Sequence, residues 1–214
     1  MKRLLSYAAI IFITMILINS VYSQNNGKKL LLTQSGIKLM NTFFSNYSEV
    51  SIKPFTKETL GDKELINFGV HHNYRNNEKL FAKTGKENQI KIKAAYVDES
   101  VMKFFGKKIQ KHQSIDDVEY HSGWYFITES SGEIFIFSQI VNLYDNGNNI
   151  FTAAVNVYTA GSGWIGNVHG TEEEWKKSGE DDIPELTAVM NARLQKLTEK
   201  GKSRYILLEY SKIK

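Results

Sequence analysis

The chain has 214 residues, a formal net charge of +4 and no cysteine. The lack of cysteine excludes disulfides, a cysteine nucleophile and a lipoprotein anchor, so that an exported form would depend on its hydrophobic core alone. The 27 basic residues are scattered among 23 acidic ones, and no basic stripe forms, so nucleic-acid binding is not expected.

The N-terminus has the pattern of a secretory signal peptide. Lys2 and Arg3 form a basic start, an almost unbroken apolar run extends from Leu4 to Ile18, and cleavage is expected after Ser23. The apolar run is shorter than the roughly 20 residues that a membrane span needs, which favours cleavage over an uncleaved anchor. We therefore expect an exported bacterial protein, periplasmic or extracellular, whose mature chain has no transmembrane span.

Residues 24–214 are expected to form a single α+β domain after removal of the signal peptide, residues 1–23. Only two prolines occur in the chain, and we find neither a Gly- or Ser-rich linker nor an internal repeat. The length is sufficient for one complete hydrophobic core.

The first part of this domain predicts two helices. Apolar residues between positions 30 and 47 recur at spacings of three and four, and Ser35 can cap the helix that they indicate. Asp62 is a plausible N-cap for a second helix, which ends within residues 73–77. His72 lies on the apolar stripe of that second helix.

A strand and a short helix are predicted next. Residues 89–97 alternate between apolar and polar types, which is typical of a strand. Asp98 is then expected to cap a helix over residues 99–105, and Gly106 stands where a closing glycine belongs. The phenylalanines of this helix would form an apolar plug for one end of a curved sheet.

Three consecutive strands are predicted to form an antiparallel meander. The first covers residues 118–128 with a kink at Gly123, and a turn at residues 130–132 leads into a hairpin over residues 133–160. Asn146-Gly147 favours the hairpin turn because both residues tolerate a positive φ.

The C-terminal region permits two interpretations. Residues 186–197 fit both a helix and a strand, whereas residues 205–210 are strand-like. Because a final strand requires an antiparallel neighbour, we favour a hairpin of residues 189–197 with residues 204–211.

The histidines and acids do not show catalytic or metal-binding spacing. A helical metal pair requires positions i and i+4, whereas His71 and His72 are adjacent and point to different faces. Ser162 lies in a GSG sequence rather than in a nucleophile elbow. We therefore predict no catalytic residue, no metal site and no cofactor, and we expect His72 to be a packed histidine more often than a ligand.

Aromatic residues concentrate on the predicted meander and on the glycine-rich loop that follows it, residues 161–170. Most are expected to pack, but loops carried by a rigid sheet are also where binding residues concentrate. We predict that a ligand-binding surface includes Trp164, Tyr158, Trp124, Tyr125 and His72. The alternative is that Trp164 simply covers the edge of the sheet.

The order of these elements resembles that of the NTF2-like family in the cystatin-like superfamily. The segment from Ala95 to His112 and the GWYF sequence at residues 123–126 are also similar to uncharacterised exported bacterial proteins. The resemblance implies N-terminal helices packed on a strongly curved antiparallel sheet. NTF2-like enzymes usually place an Asp–His or Tyr–Asp pair inside this cone, but no such pair can be assigned to positions in this sequence.

Three functions are compatible with these features. The first is an exported binding or accessory domain whose partner is a small molecule or an envelope protein. The second is an NTF2-like hydrolase or isomerase, which needs a buried histidine such as His72 or His121 beside an acid. The third is an inhibitor or structural protein of the envelope that acts through its surface. A deep pocket with a paired histidine and acid would favour the enzyme.

Overall fold

The structure is a computed structural model that describes residues 27–129, 134–161, 163–177 and 183–213. The predicted signal peptide and the predicted turn at residues 130–132 lie outside the described residues. Within these ranges the chain forms helices and two antiparallel sheets, which confirms the predicted α+β class. None of the helices formed by the described residues is long and apolar enough to cross a membrane.

The larger sheet has five strands in the order β1-β6-β7-β8-β9. Their bounds are Lys28–Lys29 for β1, Phe135–Asp145 for β6, Ile150–Ala160 for β7, Glu185–Glu199 for β8 and Lys202–Lys212 for β9. The predicted hairpin around Asn146-Gly147 is confirmed as β6 and β7. The C-terminal hairpin is confirmed as β8 and β9, so residues 186–197 form a strand rather than a helix.

The smaller sheet has the order β2-β3-β5-β4 among the described residues. Its strands are Ala82–Lys83 (β2), Gln89–Lys93 (β3), Glu119–His121 (β4) and Trp124–Thr128 (β5). Ser122 and Gly123 have φ values of 52° and 79°, which suit the two-residue turn of a hairpin. The segment 118–128 therefore reverses direction, and the prediction of one kinked strand is wrong.

The division into two sheets also corrects the predicted meander. β5 pairs with β3 and β4, whereas β6 pairs with β1 and β7. The strand before the central hairpin thus belongs to a different sheet, because its apolar residues pack with those of β3. Neither sheet is strongly curled, so the predicted strong curvature is not confirmed.

The helices are α1 (Gln34–Ser48), α2 (Asp62–Asn76), α3 (Ala94–Phe105) and α4 (Glu172–Lys177). Thr33 caps α1, since its hydroxyl accepts a hydrogen bond from the Gly36 N–H at 3.2 Å; Ser35 lies inside the helix. Helix α3 begins directly after β3, so Asp98 is an interior residue and not the predicted cap. Gly106 closes α3 with a φ of 63°, as predicted.

Helix α1 protects the edge of β6 where β1 does not cover it. The Asn41 side-chain oxygen accepts a hydrogen bond from the Ile140 N–H at 2.8 Å. One turn later the Ser45 hydroxyl accepts from the Ser138 N–H at 3.0 Å. These side chains take the place of a neighbouring strand, which fixes α1 along the sheet edge.

The main core lies between helices α1 to α3 and the two sheets. Phe104 and Phe105 are buried there, as the predicted plug requires. The Phe105 ring packs edge-on against Phe68 of α2, with centroids 4.8 Å apart. Tyr47 of α1 donates a hydrogen bond from its hydroxyl to the Phe104 carbonyl at 2.9 Å, which joins α1 to the end of α3.

Candidate functional site

A groove of about 450 Å³ lies where α1, the C-terminal ends of α2 and α3, and the start of β9 meet. Its side chains come from four separate elements, and all of them belong to the described residues. The groove is lined by Leu39, Thr42, Phe43, Asn46, His72, Asn76, Asn77, Lys103, Phe104, Ser203, Arg204 and Tyr205. We call it the α1–β9 groove.

Aromatic rings form the apolar walls of the α1–β9 groove. Phe43 of α1 and Tyr205 of β9 are both half-buried, and their ring centroids lie 6.3 Å apart. Burial, reinforced by the negative charge of Asp145, raises the pKa of the Tyr205 phenol, so this side chain stays neutral at physiological pH. Phe104 of α3 supplies a third ring. A planar apolar group can therefore lie against aromatic surface from more than one side.

Two basic side chains border these rings. The Lys103 ammonium nitrogen lies 4.9 Å from the centre of the Phe104 ring, and Lys103 forms no ion pair within the described residues. Arg204 donates to the Lys103 carbonyl at 2.7 Å, at the C-terminal end of α3. Its other terminal nitrogen lies 3.4 Å from a carboxylate oxygen of Glu199. Arg204 is thus held in place, whereas the exposed Lys103 ammonium makes no direct contact with a carboxylate of the described residues.

His72 is the buried titratable group of the α1–β9 groove, with 3% of its surface exposed. Its ring stacks on Phe68 at 5.3 Å and meets the edge of Phe104 at 4.6 Å. The two phenylalanines therefore fix the plane of the imidazole. This confirms the expectation that His72 packs within the apolar stripe of α2, and it also places the ring beside the groove.

Polar partners fix one edge of the His72 ring. Nδ1 lies 3.5 Å from a carboxylate oxygen of Glu49 and 3.2 Å from the amide nitrogen of Asn76. Asn76 also donates to the Glu49 carboxylate. Nδ1 can donate to the Glu49 carboxylate or accept from the Asn76 amide, so these two side chains compete for the same ring nitrogen. Nε2 has no hydrogen-bond partner among the described residues.

The structure does not bring the predicted site residues together. His72 lines the α1–β9 groove. Trp164 and Tyr158 belong to a separate cluster on the larger sheet. Trp124 and Tyr125 lie on β5 of the smaller sheet, which does not pair with β7. Four of the five residues are therefore remote from the groove.

Trp164 packs instead of facing an open concavity, since only 8% of its surface is exposed. Its ring stacks on Phe137 at 5.2 Å with an angle of 5° between the planes. Tyr158 stacks on the same Phe137 at 5.5 Å, and Trp175 of α4 meets that ring edge-on. A Cβ atom on Gly166 would lie 2.4 Å from the Trp164 ring, so the loop needs glycine there. This arrangement agrees with the alternative, in which Trp164 covers the sheet.

Trp124 and Tyr125 occupy opposite faces of β5. Lys91 lies 4.7 Å above the Trp124 ring on the solvent side. The buried Tyr125 hydroxyl forms a 2.7 Å hydrogen bond with Nδ1 of His112, and Nε2 of His112 lies 3.4 Å from Asp98. This chain of contacts ties the loop after α3 to both β5 and α3. Tyr125 is fully buried, whereas His112 and Asp98 are partly exposed, so the predicted ligand contact through Tyr125 itself has no accessible surface.

A second cleft, of about 490 Å³, lies on the other side of α1 and includes Ser45, Glu49 and His169. The His169 ring nitrogen Nδ1 lies 3.4 Å from the Asn41 amide. Burial, with a smaller contribution from the Lys38 charge, lowers the pKa of His169. Two carboxylates, Glu49 and Glu78, line this cleft, whereas the α1–β9 groove is lined by basic side chains and no carboxylate.

Sequence reasoning missed Glu49, Asn76, Lys103, Arg204 and Tyr205. The spacing of Asn76 four residues after His72 was a usable signal, because such residues share a helix face. Glu49 and Arg204 gave no signal, since their relation to His72 depends on the packing of α1 and β9 against α2.

Among the described residues, no group of three or more histidine, aspartate or glutamate side chains could hold a metal ion. No protein-family model matches the chain. The comparisons with curated proteins and with solved structures likewise found no match. The geometry of the α1–β9 groove is thus the basis for a functional proposal.

Proposed function

We propose that this protein is an exported bacterial binding domain whose α1–β9 groove holds a small anionic molecule with a planar apolar part. One observation carries the proposal: the same groove has aromatic walls and a lysine, Lys103, that forms no ion pair within the described residues. Export is proposed from the basic start and apolar run of residues 1–23.

The size and lining of the groove support a small-molecule ligand. Its volume of about 450 Å³ falls within the range of about 300–1,000 Å³ that is usual for such sites. Phe43 and Tyr205 offer apolar area beside the buried Phe104 ring, and Lys103 attracts negative charge. His72 adds the Nε2 nitrogen, which has no hydrogen-bond partner among the described residues. These groups favour an anion over a cation or a neutral sugar.

Anilinonaphthalene sulfonate is a suitable probe because it combines planar rings with one negative charge. We expect the fluorescence of the probe to rise when it binds to the folded protein. Lys103→Gln should weaken binding about fivefold, because loss of one partly screened charge–charge interaction costs roughly 1 kcal/mol of binding free energy. Lys91→Gln is the matched control, since Lys91 also lies over an aromatic ring but on the smaller sheet. Equal affinity in the two variants would contradict the proposal.

The His72–Glu49 pair favours a second candidate function, a small-molecule hydrolase. In such an enzyme Nε2 of His72 would take a proton from water, while Glu49 stabilises the resulting imidazolium. Hydrolysis of p-nitrophenyl acetate provides a test, with His72→Gln as the variant and His121→Gln as the control. His121, the other histidine considered for this role, is exposed and stacks on Phe126 in the smaller sheet. Rates that are unchanged by His72→Gln would exclude this candidate and leave the binding function.

A further inference from the structure

The polar side chains that line the α1–β9 groove include two chemical kinds, and these come from different elements. Lys103 at the end of α3 and Arg204 at the start of β9 carry N–H donors and positive charge. Asn46 of α1, Asn76 at the end of α2 and Asn77 directly after it carry amides. An amide can donate through its nitrogen or accept through its oxygen. The orientation of these three amides therefore decides what the groove offers to a ligand.

The contacts of Asn76 and Asn46 fix which end of each amide is engaged. The Asn76 nitrogen donates to the His72 carbonyl at 3.2 Å and to the Glu49 carboxylate. The Asn46 nitrogen donates to the Thr42 carbonyl at 2.6 Å. Carbonyl and carboxylate oxygens can only accept, so the amide atoms that face them must be nitrogens. The oxygens of Asn76 and Asn46 have no hydrogen-bond partner among the described residues.

Asn77 is oriented in the same way, through the buried side chain of Asn73. The Asn73 nitrogen donates to the Gly69 carbonyl at 2.8 Å and to the Tyr96 carbonyl at 3.3 Å. The other atom of the Asn73 amide is therefore its oxygen, and it accepts from the Asn77 nitrogen at 3.0 Å. The Asn77 oxygen is likewise left without a partner in the described part of the chain. Asn77 is only half-buried, so this oxygen belongs to an accessible side chain.

Three amide oxygens thus remain as acceptors on the α1 and α2 side of the groove. The C-terminal end of α2 adds partial negative charge, which also favours a donor there. At the corresponding end of α3, Arg204 already donates to the Met102 and Lys103 carbonyls at 3.2 and 2.7 Å. The Phe104 ring centre lies 4.6 Å from that of His72 and 4.9 Å from the Lys103 ammonium. A ligand with a single aromatic ring can therefore reach both the acceptors and the cation.

We propose that the ligand of the α1–β9 groove is an aromatic carboxylate whose ring carries a hydrogen-bond donor, an amine or a hydroxyl, opposite the carboxylate. This inference rests on the proposed function. The carboxylate lies beside Lys103, the ring lies against Phe43 and Tyr205, and the donor binds the amide oxygens. A ligand with an acceptor at that position would lose its hydrogen bonds to water and gain none from these oxygens.

Two acids that differ only opposite the carboxylate test this inference. 4-Aminobenzoate places a donor there, and 4-nitrobenzoate places acceptors at the same position. In calorimetric titrations of the intact protein, we expect 4-aminobenzoate to bind about tenfold more tightly, a difference that two ordinary hydrogen bonds can produce. Equal affinities, a preference for 4-nitrobenzoate, or no binding of either acid would overturn the inference.

Removal of the acceptors should reduce this selectivity. In a double variant that combines Asn46→Ala with Asn77→Ala, the ratio of the two affinities should fall from about tenfold to about threefold. Asn142→Ala, on β6 of the larger sheet, is the control and should keep the wild-type ratio. Lys103→Gln should weaken both acids equally, because it acts on the carboxylate that they share. A wild-type ratio in the double variant would also overturn the inference.

The titration with anilinonaphthalene sulfonate distinguishes failure of this inference from failure of the proposed function. If the fluorescent probe binds with the expected dependence on Lys103 but the two acids bind equally, only the inference about the donor is wrong. If binding of the fluorescent probe does not depend on Lys103, the proposed function is wrong, and this inference is wrong with it.

Discussion

Around Phe137 the aromatic rings contact one another, whereas in the α1–β9 groove the rings stand beside charged and polar groups. Trp164, Tyr158 and Trp175 each lie within 6 Å of the Phe137 ring centre. They form a small apolar cluster that is separate from the main core. In the groove, by contrast, Tyr205 and Phe104 border Lys103, Arg204 and His72.

The difference shows that aromatic density alone does not identify a binding site. Rings that bury one another leave little surface and little unbalanced charge for a ligand. A site requires rings that remain accessible together with a polar group that the fold does not satisfy. The groove meets this requirement through Lys103 and the half-buried rings of Phe43 and Tyr205. The Phe137 cluster contains one polar group without a partner among the described residues, the indole N–H of Trp164, but its rings are buried.

The largest expected effect comes from truncating the cluster. Trp164→Ala should lower the free energy of unfolding by about 3–5 kcal/mol, because transfer and cavity terms add when a packed ring is removed. Urea denaturation measures the change. Ile165→Ala is the control, since Ile165 is adjacent and 89% exposed, and its effect should stay within about 0.5 kcal/mol. Equal, small effects would show that Trp164 is not a packing residue.

Overpacking the same cluster should have the next largest effect. Gly166→Ala places a Cβ atom 2.4 Å from the Trp164 ring, which should cost about 1–3 kcal/mol. Gly163→Ala provides the comparison, because nothing lies within 4 Å of its added Cβ. Denaturation midpoints separate the two. If Gly166→Ala were as stable as Gly163→Ala, the loop would not be held against the ring.

A smaller effect is expected at the edge of the groove. Glu49→Gln keeps the shape of the side chain but removes the charge beside His72 and Asn76, and it should cost about 1 kcal/mol at pH 7. The same variant should change the chemical shifts of the His72 ring in an NMR spectrum, because the carboxylate that competes with Asn76 for Nδ1 is removed. Unchanged His72 shifts would show that Glu49 does not act on the ring.

Lys103→Gln should have the smallest effect on the free energy of unfolding, although it should weaken binding of the fluorescent probe. Lys103→Gln removes an exposed charge from the groove, so its free energy of unfolding should change by less than about 0.5 kcal/mol. Thermal denaturation measures the stability of the variant, and the fluorescence titration measures its affinity for the probe. A marked loss of stability would assign Lys103 a packing role and weaken the contrast between the groove and the Phe137 cluster.

Local patterns predicted the hairpins correctly. β6 and β7 alternate with period two on either side of Asn146-Gly147, so both their strand state and their pairing are local properties of the sequence. The start of α3 was not predictable in the same way. Residues 94–97 continue the alternation of β3 but also fit the apolar face of the helix, and packing against α2 decides between the two.

The sequence by itself determined the α+β class, the two long hairpins and the packed position of His72, because these depend on residue periodicity and on turn residues close together in the chain. Only the tertiary structure decided that β5 joins β3 rather than β6, and that His72, Lys103 and Arg204 line one groove. These pairings join residues far apart in sequence, and they depend on which apolar faces bury one another. The spacing of residues along the chain does not indicate which faces pack together, so the α1–β9 groove could not be predicted from the sequence.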